Sequence, residues 1–358
     1  MKRYRSLILV VVIICMTACQ SQPESGDLTI VPVDITEDKP MKLSEIAGDI
    51  KKISLELTDE SLIGFVKKVI YQNDLLIVLD NSNDTKIIIF DAEGKFIRQI
   101  GSKGQGPGEY SGIYDIAFDC SENIIYIATY ERKILCFNTD GVFINECNVM
   151  YPEYINFRDG YLNVFSTTLG EKVENGYLNQ TKLFQIDKEC NVADSVIIKS
   201  VFMPRESVAT YPTKHFMSEV GTQTFVYYPV LTAEPIVRDT LYELKKNKII
   251  PYLKLRFSDD GVVDSRNNKT KSLLNIWKSG MYIFANYSNK EGMFLFIHNQ
   301  ETGQSANMRD GIEDDIHNNK KVMIDPLQDN YFYYQFSPEP SDEDMEEPNP
   351  DIYIGKLK

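Results

Sequence analysis

The sequence predicts an all-β fold of six radially repeated, four-stranded blades. Three observations carry this. A strand–turn–strand unit recurs at a nearly constant interval. Four strands fit into each interval. A lone strand near the N-terminus matches a strand missing at the C-terminus.

The unit is clearest between Lys86 and Ala128. A strand from Lys86 to Phe90 is followed by a polar turn (Asp91 to Gly94) and a second strand (Phe96 to Ile100). A glycine-rich segment runs from Gly101 to Gly108. Two more strands follow, Ile113 to Phe118 and Ile124 to Ala128, and KILCFNTDGVFINEC then repeats the unit. Anchored at the apolar end of its first strand, the unit recurs at Phe90, Phe137, Ile186, Leu244, Ile297 and Ile354. The intervals are 47, 49, 58, 53 and 57 residues. A period near 50 residues with four strands in each is the pattern of a β-propeller.

The remaining strands fill the intervals. Blade three takes Tyr154 to Phe157 and Tyr161 to Ser166. Blade four takes His215 to Val220 and Thr224 to Tyr227. Blade five takes Met281 to Asn286, and blade six takes Val322 to Asp325 and Tyr331 to Phe336. Leu273 to Lys278 reads as one helical turn. Closure follows from the ends. The last anchor lies four residues before Lys358, so blade six lacks its outer strand. Ile50 to Leu57 is the unpaired strand that supplies it. Pairing the two removes the open edge of the array.

The chain has 358 residues, a formal net charge of −14 and 43% hydrophobic residues, enough apolar content for a large core. Its acidity and lack of a basic stripe argue against nucleic-acid binding. Residues 1–18 read as a targeting segment, with Lys2, Arg3 and Arg5 before the apolar run LILVVVIIC. Met16-Thr17-Ala18-Cys19 resembles a bacterial lipobox, which implies cleavage before Cys19 and acylation of its thiol. Residues 19–44 read as a spacer, with Gln20 to Pro40 mostly polar, and residues 45–358 as the propeller.

Cys120, Cys136, Cys147 and Cys190 have no CxxC spacing, so neither zinc nor any other metal is expected. The compartment permits disulfides. Placing Cys136 opposite Phe143 and Cys147 opposite Arg132 argues against a Cys136–Cys147 bridge. Free, buried thiols are the expectation. No cofactor motif is present. The glycine-rich segment lacks G-K-[ST] and no helix follows it, so it reads as a blade-to-blade crossing whose glycines permit φ > 0.

IGSKGQGPGEYSGIYDIAFDCSENIIYIATYERKILCFNTDGVF is similar to the NHL-type propeller repeat. With the lipobox and the N-terminal strand, the chain resembles six-bladed propeller lipoproteins of Gram-negative gut anaerobes. The resemblance implies a propeller lipid-anchored at the outer membrane or periplasmic face, and brings no catalytic motif. Crossings lie on the face where propellers usually bind, which makes Gln105, Glu109 and Tyr110 candidate ligand contacts. The leading expectation is non-catalytic binding or scaffolding of a glycan, a peptide or an envelope protein. The alternative is a channel-mouth lyase or hydrolase, with His215 as a candidate acid–base group. Trp277 reads as packing, and the acidic run from Pro338 to Asp351 as a solvated loop.

Overall fold

The computed structural model describes residues 28–36, 38–206, 216–229, 237–246, 248–259, 261, 263–265, 269–338 and 348–358. The chain forms six sheets in a ring, each running from an inner strand at the central channel to an outer strand. Blade one comprises Val66–Gln72, Leu75–Asp80, Lys86–Asp91 and Phe96–Ile100. Blade two comprises Ile113–Asp119, Ile124–Thr129, Lys133–Asn138 and Phe143–Asn148. Blade three is the longest, with Pro152–Arg158, Tyr161–Val173, Gly176–Ile186 and Val192–Met203. Blades four and five begin at Met217–Val220 and Lys271–Ser279.

All six anchors fall on the third strand of their blades. The turn after that strand explains why the unit is visible. Asp91, Asn138, Asp187 and Asn299 each accept backbone N–H bonds from residues two to four positions on. This Asx turn needs a left-handed residue near its end, supplied by Gly94, Gly141 and Gly303 with φ of 87°, 80° and 72°. In blade three Cys190 takes that position, with φ 68°.

Closure is by the N-terminal chain. Strand β2 (Ala47–Ser54) pairs antiparallel with Asp351–Leu357 and completes blade six. It starts three residues before the expected Ile50. A further strand, β1 (Thr29–Val33), lies in the segment expected to be a spacer. It adds a fifth, parallel strand to the outer edge of blade four, with Val31 and Val33 buried. Pro32 is tolerated because this is an edge. Between β1 and β2 the chain crosses the rim of blade five, where Lys39 bridges to Asn307, and makes one short helix, Leu43–Ile46. The first described residues are therefore a belt over blades four, five and six.

Three local expectations change. Leu273 to Lys278 is strand, because both of its faces are buried: Leu273 and Ile276 pack against blade four and Trp277 against blade six. Blade six has a two-residue inner strand, Asp325–Pro326, while Lys321–Val322 pairs with Ile312–Glu313 in a separate ribbon. The thiols are not all free and buried. Cys147 and Cys190 form a disulfide, with Cα atoms 5.5 Å apart, linking the outer strand of blade two to a turn of blade three. Cys136 is buried and free, and Cys120 is exposed. Phe137, not Cys136, pairs with Phe143, and a bulge between Cys136 and Phe137 adds a second residue of shift, so Cys147 lies opposite Ile134 rather than Arg132.

Candidate functional site

Strand direction defines two faces. Each inner strand starts at the crossing from the previous blade, so crossings and second-to-third-strand turns share one face, the crossing face. First-to-second and third-to-fourth turns share the other, the hairpin face.

The channel between them is plugged by charge. Lys68 of blade one is 9% exposed, and its ammonium reaches Asp115 Oδ2 at 2.8 Å, Ile116 O at 2.8 Å and Ile155 O at 3.1 Å. Those acceptors use its three protons. Asp115 also accepts from Ile155 N at 2.8 Å, and Tyr154 places its ring 4.6 Å from the ammonium. Blades one, two and three are thus tied at one point. Toward the hairpin face, Glu219 pairs with Arg158 at 2.6 Å and accepts from Asn156 at 2.8 Å. Burial raises the Glu219 carboxyl despite the guanidinium beside it. The remaining space is a cavity of about 80 Å³ lined by Lys68, Gln72, Asn156, Ser218, Glu219 and Gln328. It has room for a few waters, whereas ligand pockets run to about 300–1,000 Å³.

The crossing face is different. Tyr130 lies in the turn between the second and third strands of blade two and is 51% exposed. Its ring lies 4.5 Å from that of Tyr114, and its backbone N–H donates to Gly112 O. A Cβ on Gly112 would come within 2.5 Å of the Tyr130 ring, so glycine there lets the ring lie against the crossing. Arg132 stacks over Tyr151, 4.3 Å from its centroid, and donates to its hydroxyl. Tyr151 has φ 46°, a backbone conformation rare for a bulky residue and costing about 1–3 kcal/mol. Met150 beside it is 56% exposed. Burial raises the Tyr114 hydroxyl, with smaller effects in the same direction from Tyr130, Glu153 and Tyr151.

Between blades six and one the same face carries a cleft of about 350 Å³, lined by Phe65, Lys67, Lys321, Asp325, Tyr333 and Phe336. Asp325 is half-buried in the wall of this cleft, and desolvation pushes its carboxyl up to about 7.

The expected contacts separate. Tyr110 is fully buried in the core between blades one and two. Glu109 accepts from Gly106 N at 2.7 Å and folds the crossing on itself, and Gln105 is exposed. Of the crossing glycines only Gly101 and Gly108 have positive φ, and a Cβ on Gly104 would overlap the Glu109 carboxylate. Trp277 is buried against Phe284, with ring centroids 5.1 Å apart. His215, Cys19, the targeting segment and residues 339–347 of the acidic run lie outside the described residues. Among the described residues no cluster of metal-ligating side chains occurs, and no helix is long and apolar enough to cross a membrane.

A Bacteroides fragilis protein described as exported superposes with a TM-score of 0.69 at 18% identity, over 92% of this chain and 100% of its own. The β-propeller domain of Cps50 (Swd1) from Myceliophteria thermophila gives 0.39 at 13% identity, over 85% and 99%. A Bacteroides caccae protein of unknown function gives 0.40 at 12%, over 73% and 81%. At 18% identity the likeness to the B. fragilis protein is one of fold. No curated protein matches the chain. Residues 28–358 match the family described as a domain of unknown function, DUF4934, and this six-bladed propeller belongs to that family.

Proposed function

We propose that this chain is an exported, lipid-anchored propeller of the cell envelope that binds a protein or peptide partner through its crossing face, without catalysis. The observation that carries the reading is the array of Tyr114, Tyr130, Met150, Tyr151 and Arg132. Tyrosine, methionine and arginine are the residue types that concentrate at the centres of protein interfaces. These are held in place before any partner arrives, which reduces the ordering cost of binding. The exposed Gln105 on the neighbouring crossing belongs to the rim of this surface. The plugged channel supports the same reading, since its charges are occupied by protein partners. Anchoring rests on Cys19 and the targeting segment alone, and the exported description of the B. fragilis protein supports the export part of the reading.

Capture of partners from native envelopes by the wild-type chain and by a Tyr130→Ala/Arg132→Ala variant tests the reading. A partner lost at least thirtyfold with the variant is expected, since hot-spot truncations cost about 2 kcal/mol or more. Equal capture by both proteins would refute the assignment to this face. A glycan array probed with the same pair tests for a sugar in place of a protein.

One observation favours the channel-mouth hydrolase or lyase reading: Asp325, its carboxyl at about 7, at the edge of a cleft that can hold a small ligand. A protonated acid near neutral pH is suited to general-acid work. Turnover of envelope glycans or peptides that vanishes in Asp325→Asn would establish it, and unchanged turnover would remove Asp325 from the chemistry.

A further inference from the structure

Blade three overhangs the ring. The second strands of blades one, two and six are 6 residues long, whereas that of blade three, Tyr161–Val173, is 13. Its inner neighbour, Pro152–Arg158, pairs with it only as far as Ser166. The stretch from Thr167 to Val173 runs on without that neighbour. Apart from a bulge at Leu169 and Gly170, it pairs with Gly176 to Thr181, which pair in turn with Lys199 to Met203. At about 3.3 Å per residue, this three-stranded finger extends about 20 Å past the inner strand on the crossing-face side.

The two sides of the finger reverse the usual distribution of polar and apolar groups. Along its middle strand, Leu183, Thr181 and Asn179 face blade four. Leu183 packs in the core there, and Thr167, the partner of Thr181, meets the Tyr228 hydroxyl at 2.8 Å. Asn179 and Thr181 are polar and yet only 1% exposed. Phe184, Lys182, Gln180 and Leu178 alternate onto the other side, toward blade two, where Phe184 packs on the core. This side is open and carries apolar groups. Ile197, opposite Lys182, is 53% exposed, and Phe202, opposite Leu178, is 54% exposed. Its charges, Lys182 and Glu171, are one of each sign. The Phe202 ring lies against Gly176, where a Cβ would come within 2.5 Å of it, just as Gly112 seats Tyr130. At the base of the same side the Ser166 hydroxyl donates to Met150 O, so the open side meets the tyrosine array.

We infer that this wall and the tyrosine array are two sides of one corner, and that the corner grips a folded protein by an apolar ridge standing out from its surface. The inference rests on the crossing-face reading above and gives its partner a shape and a chemistry. An array of five side chains is small for a stable interface, which takes about 20–30 residues a side. The wall adds a second surface at an angle to the first. Exposed apolar groups rimmed by polar ones mark interaction sites. Leu178, Ile197 and Phe202 have no hydrogen bond to offer a sugar hydroxyl, so the corner suits a polypeptide rather than a glycan. Tyr130 and Phe202, each seated on a glycine, are in place before the partner arrives, which lowers the ordering cost of binding.

The test places the photocrosslinker benzoylphenylalanine at one of three exposed positions of the full chain in native envelopes. These are Met150 in the array, Ser200 on the blade-two side of the finger, and Lys172 on its blade-four side. Positions 150 and 200 are expected to label one and the same protein, each at least fivefold more than position 172. Phe202→Asp should cut labelling of that protein from position 150 at least tenfold, with the urea midpoint unchanged because the ring is exposed. Labelling from position 150 alone, or labelling there that Phe202→Asp leaves intact, would overturn the wall while the crossing-face reading stands. Different proteins labelled from 150 and 200, or from 200 alone, would overturn the corner. Equal labelling from 172 and 200 would overturn the choice of side. No labelling from either 150 or 200 would overturn this inference and the crossing-face reading together.

Discussion

Replacing Lys68 by methionine removes the point where three blades meet. Methionine is close to lysine in length and stays apolar, so packing is largely kept. The electrostatics are not kept. Asp115, 3% exposed, is left with one N–H bond from Ile155 and no counter-charge. The carbonyls of Ile116 and Ile155 lose a charged donor. Breaking one side of a buried pair costs about 3–5 kcal/mol, because the surviving charge stays desolvated. That is a large part of a total stability of about 5–15 kcal/mol. Urea denaturation followed by tryptophan fluorescence reports it directly, since Trp277 is the one tryptophan and is buried in blade five. Adding Asp115→Leu should recover about 2 kcal/mol. The orphan charge is then gone, and only the Ile155 N–H lacks its acceptor. A loss under about 1 kcal/mol for Lys68→Met, or additive losses in the double variant, would show that the pair does not hold the channel as argued.

Three other outcomes follow. Peptide mapping without reductant should find Cys147 joined to Cys190 and Cys120 alkylated in the native state, with Cys136 alkylated only after unfolding; changing both bridged residues to serine should cost up to about 4 kcal/mol, the loop-closure value for a separation of 43 residues. Asp325 keeps its proton in the folded chain to about pH 7, whereas the unfolded chain releases it near 4. Its contribution to stability is therefore greatest at low pH, falls as pH rises between those values, and is level above. Asp325→Asn should flatten that part of the pH–stability curve and stabilise the protein at pH 8, by at most about 4 kcal/mol. Tyr151→Asn should leave urea stability equal or raise it by up to about 1 kcal/mol, because asparagine accepts a positive φ, while partner binding falls at least tenfold.

The ring was legible because its turns obey local chemistry. An apolar strand end, then Asp or Asn, then a left-handed residue three or four positions on, needs no tertiary contact to recognise. Where glycine was replaced, as at Cys190, the unit faded although the turn persisted. Closure was legible because a lone strand and a missing strand must meet. β1 was not, since TIVPV alternates only over five residues and carries a proline, which suits an edge and also a linker. The channel pair was hidden for another reason. Lys68 and Asp115 lie 47 residues apart and meet only when blades are adjacent. The disulfide was hidden too, because a cross-blade pair has no spacing rule.

The tyrosine array left a trace that strand reasoning overlooked. In IATYERKILCF the tyrosine falls between strands, where an aromatic side chain does not help β-pairing. Tyr151 likewise falls in the short link between blades two and three, with a backbone angle its side chain resists. A large ring in a turn has lost the usual reason for its presence, which is packing between sheets. Strain held in place by a stacked arginine is then a cost without a folding return. The core explains Tyr110, Tyr227 and Tyr287, each 1% exposed or less. It does not explain Tyr130 or Tyr151, and that difference within one residue type is the reason the proposed partner surface is placed on the crossing face.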